Sequence, residues 1–215
     1  MKVVMGQLNT WVGDLQGNTD KVIKTALAVE QQEEPIMLVF PELTLTGYPP
    51  EDLLMRESLH DQIEVALQRL ASELPSELYV VVGYPRRVDE QLFNAAGVIH
   101  GGDLVGEYFK QRLPNYQVFD EKRYFAEGVE ACVVDVAGIK VGITICEDIW
   151  HKEPADAAAN LGAEFLINLN ASRRGWLSRA LHRRAFGGLE HRPNGARDRT
   201  RSRRRARDSA ARLGG

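Results

Sequence analysis

The first 172 residues predict an α/β layered domain, and two features of the sequence lead to this prediction. Short apolar runs rich in Val and Ile recur along this part of the chain, as in strands. Longer segments whose apolar residues recur with helical periodicity lie between these runs. Strands and helices that alternate in this way are typical of domains built from packed layers.

The predicted strands are recognised by their composition and by the residues that end them. The run at residues 36–40 is wholly apolar and stops at Pro41, which has no N–H group to donate to a sheet. The Gly-Gly pair at residues 101–102 and the Ala-Gly pair at residues 137–138 are two-residue loops suited to tight hairpins. In chain order, the predicted strands are residues 3–8, 36–40, 78–83, 92–100, 103–109, 131–136, 139–145 and 164–169.

Three helices are predicted from apolar residues that share one helical face. The first covers residues 21–31 and ends before Pro35. In the second, Ser58 is the predicted N-cap, apolar residues follow with a period of about 3.6 residues, and Pro75 ends the helix. The third covers residues 155–161.

Charge is distributed unevenly between two segments of the chain. Residues 1–172 contain 13 Lys and Arg against 27 Asp and Glu, whereas residues 173–215 contain 14 Arg, no Lys and 3 Asp and Glu. The second segment also lacks Val, Ile, Met and Tyr, so it cannot bury enough apolar surface to offset the entropy of the chain. We therefore predict that residues 173–215 form a disordered Arg-rich tail.

Two origins of this tail fit its sequence. An Arg-rich run such as RSRRRAR at residues 201–207 is typical of segments that bind nucleic acid or another anionic surface. Arg, Ala, Gly and Pro also have GC-rich codons, so a shifted reading frame in a GC-rich gene would produce the same composition. Because the hydrophobic periodicity is lost at one point, after Ser172, we favour the shifted frame.

The composition excludes several classes of protein. Two cysteines cannot form a disulfide framework, and neither Cys132 nor Cys146 has neighbours at a zinc-binding spacing. The N-terminus is too polar for a signal peptide, and no apolar run approaches the roughly 18 residues of a membrane span. These features predict a cytoplasmic protein. No glycine-rich phosphate loop is present, so the sequence supports no nucleotide site.

Three side chains with reactive groups follow predicted strands: Glu42, Lys110 and Cys146. Because ligands bind outside the carboxyl ends of strands in α/β sheets, this placement predicts a shared site, although each residue taken alone also fits a purely structural role. A Glu carboxylate could accept the thiol proton, and a Lys ammonium could stabilise the anion on an attacked carbonyl. The charges of Glu147 and Asp148 are expected to raise the pKa of the Cys146 thiol. A nearby cation is needed to counter this effect, and Lys110 is the candidate at a strand end.

Four segments resemble, in the same order, the motif series of the nitrilase, or carbon–nitrogen hydrolase, superfamily. They are FPELTLTGYPP at residues 40–50, KQRLPNY at residues 110–116, FDEKRYF at residues 119–125 and ICEDIW at residues 145–150. Within the superfamily the chain is most similar to the glutaminase domain of glutamine-dependent NAD synthetases. The resemblance covers residues 1–172 and implies an incomplete nitrilase-type α-β-β-α sandwich.

The resemblance also implies a reaction. Glu42 would be the general base, Lys110 the stabiliser of the tetrahedral intermediate and Cys146 the nucleophile, while Glu121 matches a second glutamate that supports the lysine. Cys146 would attack the side-chain amide of glutamine, release ammonia and form a thioester that water hydrolyses. The resemblance implies no metal or other cofactor for this half of the reaction. A synthetase domain would use ATP and magnesium to convert deamido-NAD with that ammonia.

Tyr48, Glu147 and Ser172 match positions that contact the glutamine substrate in this family. After Ser172 the family pattern stops, and neither the rest of the sandwich nor the synthetase domain is recognisable. We therefore interpret residues 1–172 as a partial carbon–nitrogen hydrolase domain that is truncated or frameshifted, and residues 173–215 as the tail. We expect the 215-residue form to lack activity of its own and the intact family protein to form a homo-oligomer.

Two other functions are compatible with the same residues. A stand-alone nitrilase-type amidase would share the three reactive residues and act on another small amide. A binding module would use the Arg-rich tail on nucleic acid or an anionic membrane, although we expect neither nucleic acid nor membrane as a partner. Salt-sensitive binding that depends on residues 173–215 would distinguish this last function.

Overall fold

The strands form two sheets that pack face to face. The computed structural model describes residues 1–29, 33–115 and 120–171, together with the backbone of residues 179–182. The first sheet has the order β1-β2-β3-β4-β5, in which β1, β2 and β3 are parallel and β4 and β5 each pair antiparallel with the preceding strand. Its strands are β1 (Lys2–Met5), β2 (Ile36–Val39), β3 (Tyr79–Val88), β4 (Gln91–His100) and β5 (Asp103–Phe109).

The second sheet contains four described strands in the order β6-β7-β8-β9. Strands β7 and β8 are parallel, and the other two pairs are antiparallel. Its strands are β6 (Cys132–Val136), β7 (Ile139–Ile145), β8 (Phe165–Leu169) and β9 (Arg179–His182). The two predicted hairpins, β4–β5 and β6–β7, are both confirmed.

Helices cover the outer faces of the two sheets. They are α1 (Leu15–Leu27), α2 (Glu57–Glu73) and α3 (Lys152–Asn160). Successive side chains of a strand point to opposite faces, and β2 shows this directly: Ile36 and Leu38 pack in the core beside α1 and α2, whereas Met37 and Val39 pack against the second sheet. Helix α3 packs on the outer face of the second sheet. The predicted α-β-β-α sandwich is confirmed.

Helix starts differ from the sequence-based prediction for local reasons. Helix α1 begins at Leu15, several residues before the predicted start, because the Asp14 side chain caps it by accepting a hydrogen bond from the Gly17 N–H at 3.0 Å. The prediction that Ser58 caps the second helix is wrong. That helix begins at Glu57, and Arg56 precedes it without a side-chain cap.

Strand β9 lies inside the segment for which the sequence predicted no regular structure. Its backbone pairs with β8, with Ala180 opposite Ile167. Backbone pairing needs no apolar side chains, which is why hydrophobic patterning alone did not indicate this strand. Apart from β9, the predicted tail lies outside the described residues, and so does Ser172. Among the described helices, none is long and apolar enough to cross a membrane.

Gly142 on β7 lies where α3 packs on the second sheet. A Cβ atom at this position would lie 2.9 Å from Ala158 Cβ and 3.0 Å from Leu166 Cδ1. We expect Gly142→Ala to lower the free energy of unfolding by about 1–3 kcal/mol, because the added methyl group overpacks this contact. Urea unfolding measures the effect. The control, Lys140→Ala, changes an exposed side chain of the same strand, and equal stability of the two variants would contradict the packing described here.

Candidate active site

Glu42 lies in a loop that follows β2 and contacts β3. The Leu45 N–H donates to the Gly83 carbonyl oxygen at 3.1 Å, and a Cβ atom at Gly83 would lie 2.5 Å from the backbone nitrogen of Leu43. The loop can approach β3 this closely only because residue 83 has no side chain. The Glu42 side chain is thereby held in a buried position at the edge of the first sheet.

Lys110 follows β5 and is fully buried. Its Nζ lies 2.7 Å from Glu42 Oε1 and 2.9 Å from each carboxylate oxygen of Glu121. Its backbone N–H donates to the carbonyl oxygen of Asn94 on β4 at 2.9 Å, which fixes the chain at the end of β5. A buried ammonium group is costly unless it is paired and hydrogen-bonded, and here two carboxylates meet that requirement.

Asn94, on β4 of the first sheet, contacts the carboxylate of Glu42. Its Nδ2 donates to Glu42 Oε1 at 2.8 Å, the oxygen that also accepts from Lys110. The two donors therefore orient the Glu42 carboxylate.

Burial and neighbouring charges shift the pKa values of Lys110 and Glu121. Burial lowers the pKa of Lys110, but the charges of Glu42 and Glu121 outweigh it and hold this pKa well above its usual value. Burial, followed by the negative charge of Glu42, raises the pKa of Glu121 to about 7, against the lowering effect of Lys110. Near neutral pH the lysine is therefore charged, and Glu121 takes up or releases a proton.

Cys146 lies directly after β7, at the start of a short 3-10 helix (Cys146–Trp150). Its φ angle is +45°, in the left-handed region that non-glycine residues seldom adopt. Burial, followed by the charge of Glu42, raises the pKa of its thiol, and the lowering effect of Lys110 does not compensate. The sequence predicted a raised pKa from Glu147 and Asp148, but the structure gives burial as the main cause. The thiol is protonated at neutral pH, so nucleophilic attack requires a base.

The structure places the predicted substrate-contacting residues in different ways. Tyr48 is half-buried and lines a cavity of about 480 Å³ together with Glu42. Burial, followed by the charge of Glu42, raises the pKa of the Tyr48 phenol. Glu147 is half-buried, with its Oε1 3.6 Å from His151 Nε2. Ser172 lies outside the described residues. The other residues that line the cavity are Met5, Gly6, Gln7, Leu8, Asn9, Thr10, Val39, Pro41, Asn170 and Ala171.

Sequence reasoning missed two buried polar residues next to the predicted ones. Asn94 was read as part of an apolar strand, although an amide inside the run from Phe93 to Ala95 was a signal of a buried hydrogen-bonding role. Asp148 was considered only as a charge beside Cys146, and the structure shows it fully buried and hydrogen-bonded. No sequence signal pairs Asp148 with Tyr108, Gln111 and Arg112, because these residues lie 36 to 40 positions earlier in the chain.

The chain resembles known proteins along most of its described length. A family model described as carbon–nitrogen hydrolase matches residues 2–186. The glutamine-dependent NAD(+) synthetase of Thermotoga maritima is 44% identical over 175 residues, which cover 80% of this chain and 30% of that protein. The synthetase of the same name from Xanthomonas campestris pv. campestris is 40% identical over 174 residues, covering 80% of this chain and 31% of that protein. The chain thus spans about a third of the length of these curated relatives.

Solved structures give the same result. The glutamine-dependent NAD+ synthetase of Acinetobacter baumannii, in complex with ADP, matches with a TM-score of 0.74 and 35% identity over 79% of this chain and 32% of that chain. An amidase of the nitrilase superfamily from Nesterenkonia matches with a TM-score of 0.70 over 80% of this chain and 66% of that chain. At 24% sequence identity, this match shows a similar fold.

Replacement of Lys110 tests its place between the two carboxylates. We expect Lys110→Met to lower the free energy of unfolding at pH 8 by about 3–5 kcal/mol, because Glu42 and Glu121 would be left buried without their shared cation. Lys152→Met is the matched control, since Lys152 is exposed and pairs with Asp156 on the surface of α3. We expect this control to lower the free energy of unfolding by about 0.5 kcal/mol or less. Urea unfolding curves give both values, and equal losses would contradict the described burial of Lys110.

The raised pKa of Glu121 predicts a pH-dependent stability. The folded state binds this proton more tightly than the unfolded state, so the contribution is present below the ordinary glutamate pKa and is lost as pH rises through about 7. Between pH 5 and 8 we expect the free energy of unfolding of the wild-type chain to fall by up to about 3 kcal/mol more than that of Glu121→Gln. Unfolding free energies of both proteins at the two pH values measure this difference. Parallel pH dependence in both would show that Glu121 has an ordinary pKa.

Proposed function

Because this chain belongs to the carbon–nitrogen hydrolase family, we propose that it hydrolyses the side-chain amide of glutamine through Cys146, Glu42 and Lys110. The observation that carries the proposal is the fully buried Lys110, held between Glu42 and Glu121. A buried ammonium ion at the end of β5, in a fold that places a thiol at the end of β7, suits a reaction in which negative charge develops on a carbonyl oxygen. Glutamine as the substrate rests on the likeness to glutamine-dependent NAD(+) synthetases.

The first step of the proposed reaction is the attack on the amide carbon. Since the Cys146 thiol is protonated, its proton passes to Glu42 as the bond forms between Sγ and the amide carbon. The oxyanion that develops is stabilised by the positive charge of Lys110, which burial makes more effective than it would be in water.

The next steps return the proton and release both products. Glu42 gives the proton to the amide nitrogen, the carbon–nitrogen bond breaks, and ammonia leaves behind a thioester on Cys146. A water molecule then gives its proton to Glu42 and attacks the thioester carbon. The carbon–sulfur bond breaks, the sulfur regains the proton, and glutamate is released. No step of this proposal uses a metal ion or other cofactor.

Two residues are proposed to hold the amino acid end of glutamine. Glu147 follows the nucleophile directly, and its carboxylate would attract the α-ammonium group of the substrate. Tyr48 lines the cavity next to Glu42 and would contact the same end of the molecule. Neither residue is required for an amide that lacks an α-amino acid group, so these positions would distinguish glutamine from other small amides.

The released ammonia is proposed to serve a synthetase. The curated relatives are named as NAD(+) synthetases, and this chain spans about a third of their length. In this proposal a synthetase portion outside the chain uses ATP and magnesium to convert deamido-NAD with the ammonia.

Release of ammonia from glutamine tests the function. The assay uses the 215-residue chain, for which the sequence predicts no activity, and a chimera of residues 1–171 continued by the matching remainder of the Thermotoga maritima relative. We expect the chimera to release ammonia and glutamate, Cys146→Ala to reduce the rate by at least about 1,000-fold, and Cys132→Ala to leave it within about twofold. Asparagine and propionamide are the comparison amides. Ammonia release that survives Cys146→Ala would overturn the proposal.

A further inference from the structure

We propose that Asp148 is a positioning residue that joins the chain segment after Lys110 to the turn that carries Cys146. The Asp148 side chain is fully buried. Its Oδ1 accepts hydrogen bonds from the backbone N–H of Gln111 at 3.1 Å and of Arg112 at 2.8 Å. Both donors directly follow Lys110, so the carboxylate holds the segment that leaves the first sheet.

The second carboxylate oxygen of Asp148 reaches both sheets. Asp148 Oδ2 accepts the backbone N–H of Ile145 at 3.0 Å and the phenolic O–H of Tyr108 at 2.9 Å. Ile145 is the last residue of β7 and directly precedes Cys146, whereas Tyr108 belongs to β5. One buried carboxylate therefore connects the ends of the two strands that present Lys110 and Cys146.

These hydrogen bonds explain how the turn keeps its unusual backbone. A non-glycine residue in the left-handed region is disfavoured, and such conformations persist where surrounding contacts hold them. Cys146 has a φ of +45°, and the bond from the Ile145 N–H to Asp148 closes the turn around it. Loss of this acceptor would let Cys146 relax and move its sulfur relative to Lys110.

Asn is the informative substitution because it nearly preserves the shape of the side chain. An aspartate carboxylate accepts at both oxygens, whereas an amide accepts at one and donates at the other. In Asp148→Asn the NH2 group must therefore face one of the two pairs of donors and break its hydrogen bonds. Tyr108→Phe removes one donor and leaves the other three hydrogen bonds of Asp148 in place.

The test compares two reagents on the thiol of the 215-residue chain. Iodoacetamide carries an amide oxygen that an aligned Lys110 can polarise, whereas methyl methanethiosulfonate reacts with a thiol without an amide. The measured quantity is the ratio of their rate constants at Cys146, obtained by peptide mass spectrometry, with Cys132 as the internal reference. This ratio reports the alignment of Cys146 with Lys110, and greater exposure of the thiol alone would raise both rates together.

In the wild-type chain we expect the ratio at Cys146 to exceed that at Cys132 by at least tenfold. Asp148→Asn should remove this preference, and Tyr108→Phe should reduce it by about two- to fivefold. Ile63→Ala, which creates a cavity between α2 and the first sheet, should lower stability and leave the ratio unchanged. If Asp148→Asn does not fold, Tyr108→Phe against Ile63→Ala decides the question.

The positioning role of Asp148 has a catalytic meaning only if the proposed function holds, and the outcomes below distinguish the two. A wild-type preference that survives in Asp148→Asn, or in Tyr108→Phe when the former does not fold, overturns the positioning role and leaves the proposed reaction intact. Equal ratios at Cys146 and Cys132 in the wild-type chain would overturn the positioning role, because Lys110 would then not be aligned with the thiol, whereas the proposed function is decided by ammonia release from the chimera. A loss of preference in Ile63→Ala as well would show that any destabilisation moves the turn, which also overturns a specific role for Asp148.

Discussion

The ion pairs that Lys110 makes with Glu42 and Glu121 are the contacts on which the rest of the site depends. A lysine without solvent exposure cannot keep its charge unless anionic partners surround it, and here one carboxylate from a loop and one from a short helix do so. This requirement brings together the loop after β2, the end of β5 and the short helix (Glu121–Arg123) that carries the second glutamate. The ion pairs therefore fix the positions of these segments as well as the charges of the site.

The fold meets this constraint through the direction of its strands. Strands β2 and β5 run in the same direction, because β3 is parallel to β2 and the two antiparallel pairings of β4 restore that direction in β5. Their carboxyl ends consequently lie at the same edge of the first sheet. Cys146 comes from the second sheet, so the proposed site forms only when the two sheets pack on each other.

Burial of the site has opposite consequences for its acid and basic groups. It keeps the Cys146 thiol protonated and raises the pKa of Glu121 into the neutral range, while the two carboxylates keep Lys110 charged. Near neutral pH the thiol therefore keeps its proton while Lys110 stays charged. In the proposed reaction, Glu42 carries that proton between the thiol, the leaving nitrogen and water, and the fixed cation stabilises the oxyanion.

The sequence by itself determined the α/β layered class, the hairpins and the strand ends at which Glu42, Lys110 and Cys146 lie, and the family resemblance implied the sandwich. Apolar periodicity, turn residues and breakers are local signals, and the family resemblance supplied Glu121 and the expected reaction. Asp14, which caps α1 at its start, is also a local signal, although it lies outside the periodic apolar face of the helix. Tertiary structure alone decided the contacts of Asn94 and Asp148 and the main cause of the raised thiol pKa. These depend on groups brought together from distant parts of the chain and on the removal of water, and neither is encoded in the spacing of neighbouring residues.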